Sequence, residues 1–161
     1  MRMNFTILLL CCLSACNQKQ DNTLVWKQQL DSLRKRIDSA YAPGLGEFIS
    51  DIQVHHAKLW FAGKSGNWEL ANFEMGEIRE SIDDIQKYCT DRPEIKELPM
   101  ILNPMDSLAT SITDKNTEAF TRSFSRLTVT CNNCHQATKH AFNVIKIPDS
   151  PPFTNQVFEK P

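Results

Sequence analysis

Residues 67–89 read NWELANFEMGEIRESIDDIQKYC, in which Ala71, Met75, Ile78, Ile82, Ile85 and Cys89 recur at intervals of four, three, four, three and four. That alternation keeps one row of side chains on a single helical face, whereas a half-buried strand would alternate every second residue. Asn67 stands where an N-cap residue would accept a backbone N–H, and Trp68 lies one turn before Ala71. A helix with one buried seam needs partners, so the stretch predicts a helical bundle.

The flanking segments supply those partners. Upstream, LGEFISDIQVHHAKLWFAG at 45–63 places Leu45, Phe48, Ile49, Ile52, His55, His56, Leu59 and Trp60 along a broad apolar face, interrupted by Gly63 to Gly66. The short loop makes the two helices antiparallel neighbours. Downstream, Pro93, Pro99 and Pro104 forbid one long helix. Asn103-Pro104 reads as a cap followed by proline at the first helical position, opening a shorter helix with Met105, Leu108 and Ile112. After a turn at Asp114-Lys115-Asn116, a last helix carries Phe120, Phe124, Leu127, Cys131, Cys134 and Thr138 at intervals of four, three, four, three and four. No convincing run of alternating apolar residues occurs.

Trp26, Leu30, Leu33 and Ile37 predict a further amphipathic helix over 24–42. Residues 143–161 contain four prolines and no helical period, and read as an extended tail packing through Val144, Ile145, Ile147, Phe153 and Phe158. The expected architecture is all-α: a four-helix bundle over 45–142, an extra N-terminal helix and an extended C-terminal tail.

The chain begins MRMNFTILLLCCLSAC, with a basic start at Arg2, an apolar stretch of export-signal length and small residues before a cysteine. Leu13-Ser14-Ala15-Cys16 resembles the lipobox of bacterial lipoproteins. That resemblance implies a signal peptide over 1–15, lipidation of Cys16, and a polar tether over 16–23. The protein is then exported and lipid-anchored to a bacterial membrane on the periplasmic or cell-surface side. With 18 Lys and Arg against 19 Asp and Glu among 161 residues, and no basic run, the balance argues against nucleic acid. Beyond Cys16 the mature chain keeps three thiols, Cys89, Cys131 and Cys134, too few for a disulfide-built fold.

Two of them fall in TVTCNNCHQATKH at 128–140. Cys131, Cys134 and His135 share a helical face, an arrangement that suits covalent haem through C-x-x-C-H. Each thiol would add across a vinyl group, and His135 would be the proximal iron ligand. Zinc would need Cys89 as a fourth ligand and would hold its ligands on turns. A thiol redox pair expects a βαβ context that the chain lacks. Export agrees with haem, since c-type haem is attached after translocation.

An all-helical domain with one C-x-x-C-H near the end of its last helix resembles the cytochrome c-prime group of four-helix-bundle cytochromes. By that resemblance Lys139, four residues beyond His135, would pair with a haem propionate. His56-Ala57-Lys58-Leu59-Trp60-Phe61-Ala62-Gly63 with Asn67-Trp68 and Leu70-Ala71 also resembles stretches of bacterial haem lipoproteins. The extra helix, the prolines and the tail depart from the cytochrome c-prime pattern. The sixth iron position falls to His56, on the face of the first core helix, with His55 as the alternative. Trp60, Phe61, Trp68, Phe120 and Phe124 are candidate porphyrin walls, and Cys89 has no assigned role. The expected protein carries single electrons with one haem c, uses redox proteins and a membrane as partners, and is not an enzyme. A homodimer is compatible, and the competing function is a gas-binding or haem-sensing module with an open sixth position.

Overall fold

The computed structural model describes residues 22–40 and 43–160, and divides the chain into two units, residues 1–42 and 43–161. The signal-like segment, the lipobox and Cys16 lie outside the described residues. The first unit contributes one helix, α1 (Asn22–Ala40), which takes in two residues assigned above to the tether. None of its residues is buried; Trp26 is 68% and Ile37 66% exposed.

The second unit is an all-helical bundle built from α2 (Leu45–Lys64), α3 (Trp68–Tyr88), α4 (Pro99–Thr113) and α5 (Thr117–Ala137), with a 3-10 turn at Pro93–Glu97. No strand occurs among the described residues. Helix α2 packs chiefly along α3 and α4 along α5, and the two hairpins meet through α3 with α4 and α2 with α5. The first and last core helices are therefore neighbours. Their seams meet in a core of Phe48, Leu59, Met75, Ile78, Ile82, Ile85, Leu108, Phe120, Phe124 and Leu127.

Three helix ends share one construction. After α2, Gly66 at φ 70° donates to Gly63 O and Asn67 N–H to Ala62 O. After α4, Lys115 at φ 53° donates to Ile112 O and Asn116 N–H to Ser111 O. After α5, Lys139 at φ 65° donates to Gln136 O and His140 N–H to His135 O. Each is a Schellman end, a left-handed residue that folds the chain back and satisfies the last carbonyls. At the first two, the asparagine that closes the motif also caps the next helix: Asn67 Oδ1 accepts from Leu70 N–H and Asn116 Oδ1 from Ala119 N–H.

Two boundaries differ from the sequence reading. Helix α4 starts at Pro99, not after Asn103, and Pro104 lies inside it, buried. Pro99 takes the first helical position, where a missing N–H costs nothing. Pro104 leaves only the Met100 carbonyl without its helical donor, and the apolar face of Ile101, Met105, Leu108 and Ile112 offsets that loss. Helix α5 ends at Ala137 because Lys139 turns left-handed and His140 N–H closes back on His135 O. In the tail, Phe158 is buried and meets Phe61 at 5.7 Å, and Ile145 and Ile147 are partly buried, whereas Val144 and Phe153 remain exposed. Successive prolines deny the tail a continuous ladder of backbone bonds, so it docks at points.

A candidate haem-binding cleft

Cys131, Cys134 and His135 lie on the last two turns of α5, all partly buried. Their helical spacing points Cys134 and His135 into a cleft of about 320 Å³ with Leu45, Ile49, Gln53, Ile85, Ile95 and Leu98. A smaller apolar pocket of about 80 Å³ adjoins it; Ile49, Gln53, Leu98, Cys134 and His135 line both, and Cys131, His56, Ile52, Ile82 and Ile101 line the smaller one. The structure thus brings together the C-x-x-C-H residues of α5 and His56 of α2. The main cleft lies in the size range of small-molecule sites.

His135 is oriented by the helix end beyond it. The left-handed turn at Lys139 reverses the chain so that Asn143 O comes within 2.6 Å of His135 Nδ1. A carbonyl can only accept, so Nδ1 carries a proton, and in the neutral ring Nε2 keeps its lone pair. That is the tautomer a metal-ligating histidine takes when its second nitrogen donates to backbone. The returning chain is pinned by Asn132, whose Nδ2 donates to Ile145 O at 2.8 Å and whose Oδ1 accepts from Ile145 N–H at 2.8 Å. Sequence reasoning assigned the Asn spacers of the motif no role. No spacing rule flags an asparagine whose partner lies thirteen residues on in an irregular segment.

His56 is 4% exposed, and burial pushes its pKa from 6.5 down to about 4, so the imidazole is neutral at physiological pH. Its ring lies 4.4 Å from that of Phe124, and Nε2 is 2.9 Å from Thr128 Oγ1. Thr128 has one hydroxyl proton, which it donates to Phe124 O at 3.0 Å. His56 Nε2–H therefore donates to Thr128, and an iron bond through Nε2 would require that bond to open. His55 faces the other way: Nδ1 is 2.6 Å from Glu74 Oε2 and Nε2 3.9 Å from Glu77. Glu74 is fully buried, with Lys58 Nζ 3.7 Å from its second oxygen. This charged cluster ties α2 to α3, and His55 is not among the residues lining the cleft.

The two site thiols are held protonated. Burial pushes Cys131 up to about 11 and raises Cys134, with Glu97 and Glu94 adding to the latter. A thiol–disulfide centre wants the opposite shift. Cys89 is buried and in no disulfide, with its thiol near Pro43 O, and it lines neither pocket. Among the described residues no three His, Cys, Asp or Glu side chains converge as a metal-ion site. Haem iron makes no such demand, since four of its ligands are pyrrole nitrogens.

The expected aromatic walls lie elsewhere. Trp60, Trp68, Phe120 and Phe124 form a ladder with centroids 4.9 to 6.3 Å apart, and Phe61 pairs with the tail; none lines either pocket. Cleft walls are mainly aliphatic instead, because the isoleucines of α2 and α3 occupy the seam at that end. Lys139 is exposed and lines a neighbouring depression with Pro93, Glu94 and Glu97. The cation lining the main cleft is Arg92, paired with Glu94 at 3.0 Å. Among the described residues no helix is long and apolar enough to cross a membrane. Comparison with protein-family models, curated proteins and solved structures finds no match to this chain.

Proposed function

We propose that the chain is a lipid-anchored monohaem c-type cytochrome of cytochrome c-prime-like build, carrying single electrons at a membrane surface. The observation that carries this reading is the His135 Nδ1–H bond to Asn143 O, which in the neutral ring leaves the Nε2 lone pair free in a cleft shared with Cys134 and adjoining Cys131 and His56. Cys131 and Cys134 would hold haem c through thioethers and His135 would be its proximal ligand. When bound, the haem supplies a one-electron couple. Ile49, Ile52, Ile82 and Leu98 give the smaller pocket an apolar lining. His56, neutral and beside the same pocket, would be the sixth ligand, and two imidazoles favour a lower potential than histidine with methionine. By resemblance Lys139 would meet a propionate. The signal-like start and Cys16 would place the protein outside the cytoplasm, where redox proteins are its partners.

One observation favours a second reading. His56 Nε2 is already engaged by Thr128, which would leave the sixth position open for a small gas. Spectra of the purified protein decide between them. The carrier gives a low-spin oxidised form and a reduced form that ignores carbon monoxide, and His56→Ala converts it to high spin. Ready carbon monoxide binding by the unaltered protein would sink the carrier, and an unchanged His56→Ala spectrum would remove His56 from the iron.

A further inference from the structure

Helix α1 carries an exposed apolar stripe. Trp26, Leu30, Leu33 and Ile37 follow one another at intervals of four, three and four, and each is more than half exposed. The charges are not scattered around this stripe. At 3.6 residues per turn, Lys27 and Arg34 fall roughly a quarter turn to one side of it and Arg36 roughly a quarter turn to the other. Asp31 and Asp38 are set further back, and Lys35 lies opposite the stripe. An apolar band edged by cations on both sides is found on a chain whose formal net charge is −1.

A second copy is a poor occupant. Pairing two α1 helices along the 26-30-33-37 seam would put Lys27 and Arg34 at one flanking position and Gln29 and Arg36 at the other. In either orientation cations meet cations or glutamine, with no acid across the seam. A surface that accepts apolar side chains and offers anions at their margin is the matching partner. We infer that α1 lies in the interface of an anionic lipid bilayer, with Trp26, Leu30, Leu33 and Ile37 entering the acyl boundary and Lys27, Arg34 and Arg36 meeting the headgroups. The long stems of these three residues can lie along the apolar layer while their charges stay in the headgroup region. The inference needs neither a haem nor an acylated Cys16.

Hydrogen exchange of the full-length purified chain tests it, read at residues 22–40 with and without vesicles. Phosphatidylcholine vesicles containing phosphatidylglycerol should slow exchange across α1, and high salt should reverse the effect. The triple variant Lys27→Glu, Arg34→Glu, Arg36→Glu should need about a hundredfold more of this lipid for the same protection. If Cys16 is acylated, the triple variant still floats with the vesicles while α1 exchanges freely, so anchor and helix contact are read separately. Equal protection by pure phosphatidylcholine, or none with either vesicle, would overturn the inference. So would protection that grows with protein concentration without lipid, the signature of a second copy. The visible spectrum should be the same in the triple variant, which keeps this outcome independent of the haem reading.

Discussion

His56 and Asn132 show what single residues do here. In the haem-free chain, His56 titrates near pH 4 when folded against 6.5 ordinarily, because burial disfavours its charged form. The unfolded chain therefore binds a proton first as the solution is acidified. Stability is full above about pH 6.5 and falls by roughly 3 kcal/mol as pH drops toward 4, a slope that denaturant titrations of the haem-free protein would measure. His56→Gln keeps a donor for Thr128 and should flatten that slope. Asn132 acts on the site through the backbone, since its two bonds to Ile145 hold the irregular segment that carries Asn143. Asn132→Ala should destabilise the fold by about 1–3 kcal/mol in denaturant melts. If the His135 bond depends on this clasp, the same variant shifts the electron paramagnetic resonance spectrum of the haem-loaded protein, whereas an exposed spacer would leave it unchanged. His56 was legible as a residue on the apolar face; its bond to Thr128, seventy-two residues away, was not.

Helix pairing depends on one small residue. Gly63 is buried near the end of α2, and a methyl group added there would overlap the Phe120 ring of α5. Phe120 is itself fully buried among Trp60, Trp68 and Phe124, so it has little room to retreat. Gly63→Ala should therefore cost about 1–3 kcal/mol despite its better helix propensity, measurable as a lowered thermal midpoint. The sequence suggested that Gly63 begins a break, but the helix runs through it to Lys64. What Gly63 supplies is close approach, and contact across helices leaves no periodic trace in the chain. The ends of α2, α4 and α5 tell a related story. Gly66 announced its left-handed turn by composition, whereas Lys115 and Lys139 adopt the same conformation without glycine because two backbone bonds and the following residue hold them there.

Across the whole bundle, core and cleft share one side, since Ile52, Ile82, Ile85, Leu98 and Ile101 belong to the core and also line a pocket. The rest of the core, with the aromatic ladder and the fully buried Leu59, Ile78, Leu108 and Leu127, does not line either pocket. Cys131→Ser with Cys134→Ser should thus preserve the helical circular dichroism spectrum and, on the proposed function, abolish retention of haem by the polypeptide under denaturing conditions. Loss of the helical signal would show that the bundle depends on the site. The sequence by itself determined that this body is helical and antiparallel, because the four-three alternation in α2, α3 and α5 and the short loops at Gly66 and Asn116 are local properties. It also put Cys131, Cys134 and His135 on one face, since three- and four-residue spacings decide that within a single helix. Only the tertiary structure decided that His56 would reach the same pocket, that His55 would turn to Glu74, and that the aromatics would gather away from the cleft. It likewise decided which nitrogen of His135 keeps its lone pair. These outcomes depend on how helices with equivalent apolar stripes rotate against one another and on where an irregular tail returns, and neither is encoded in the period of any one segment.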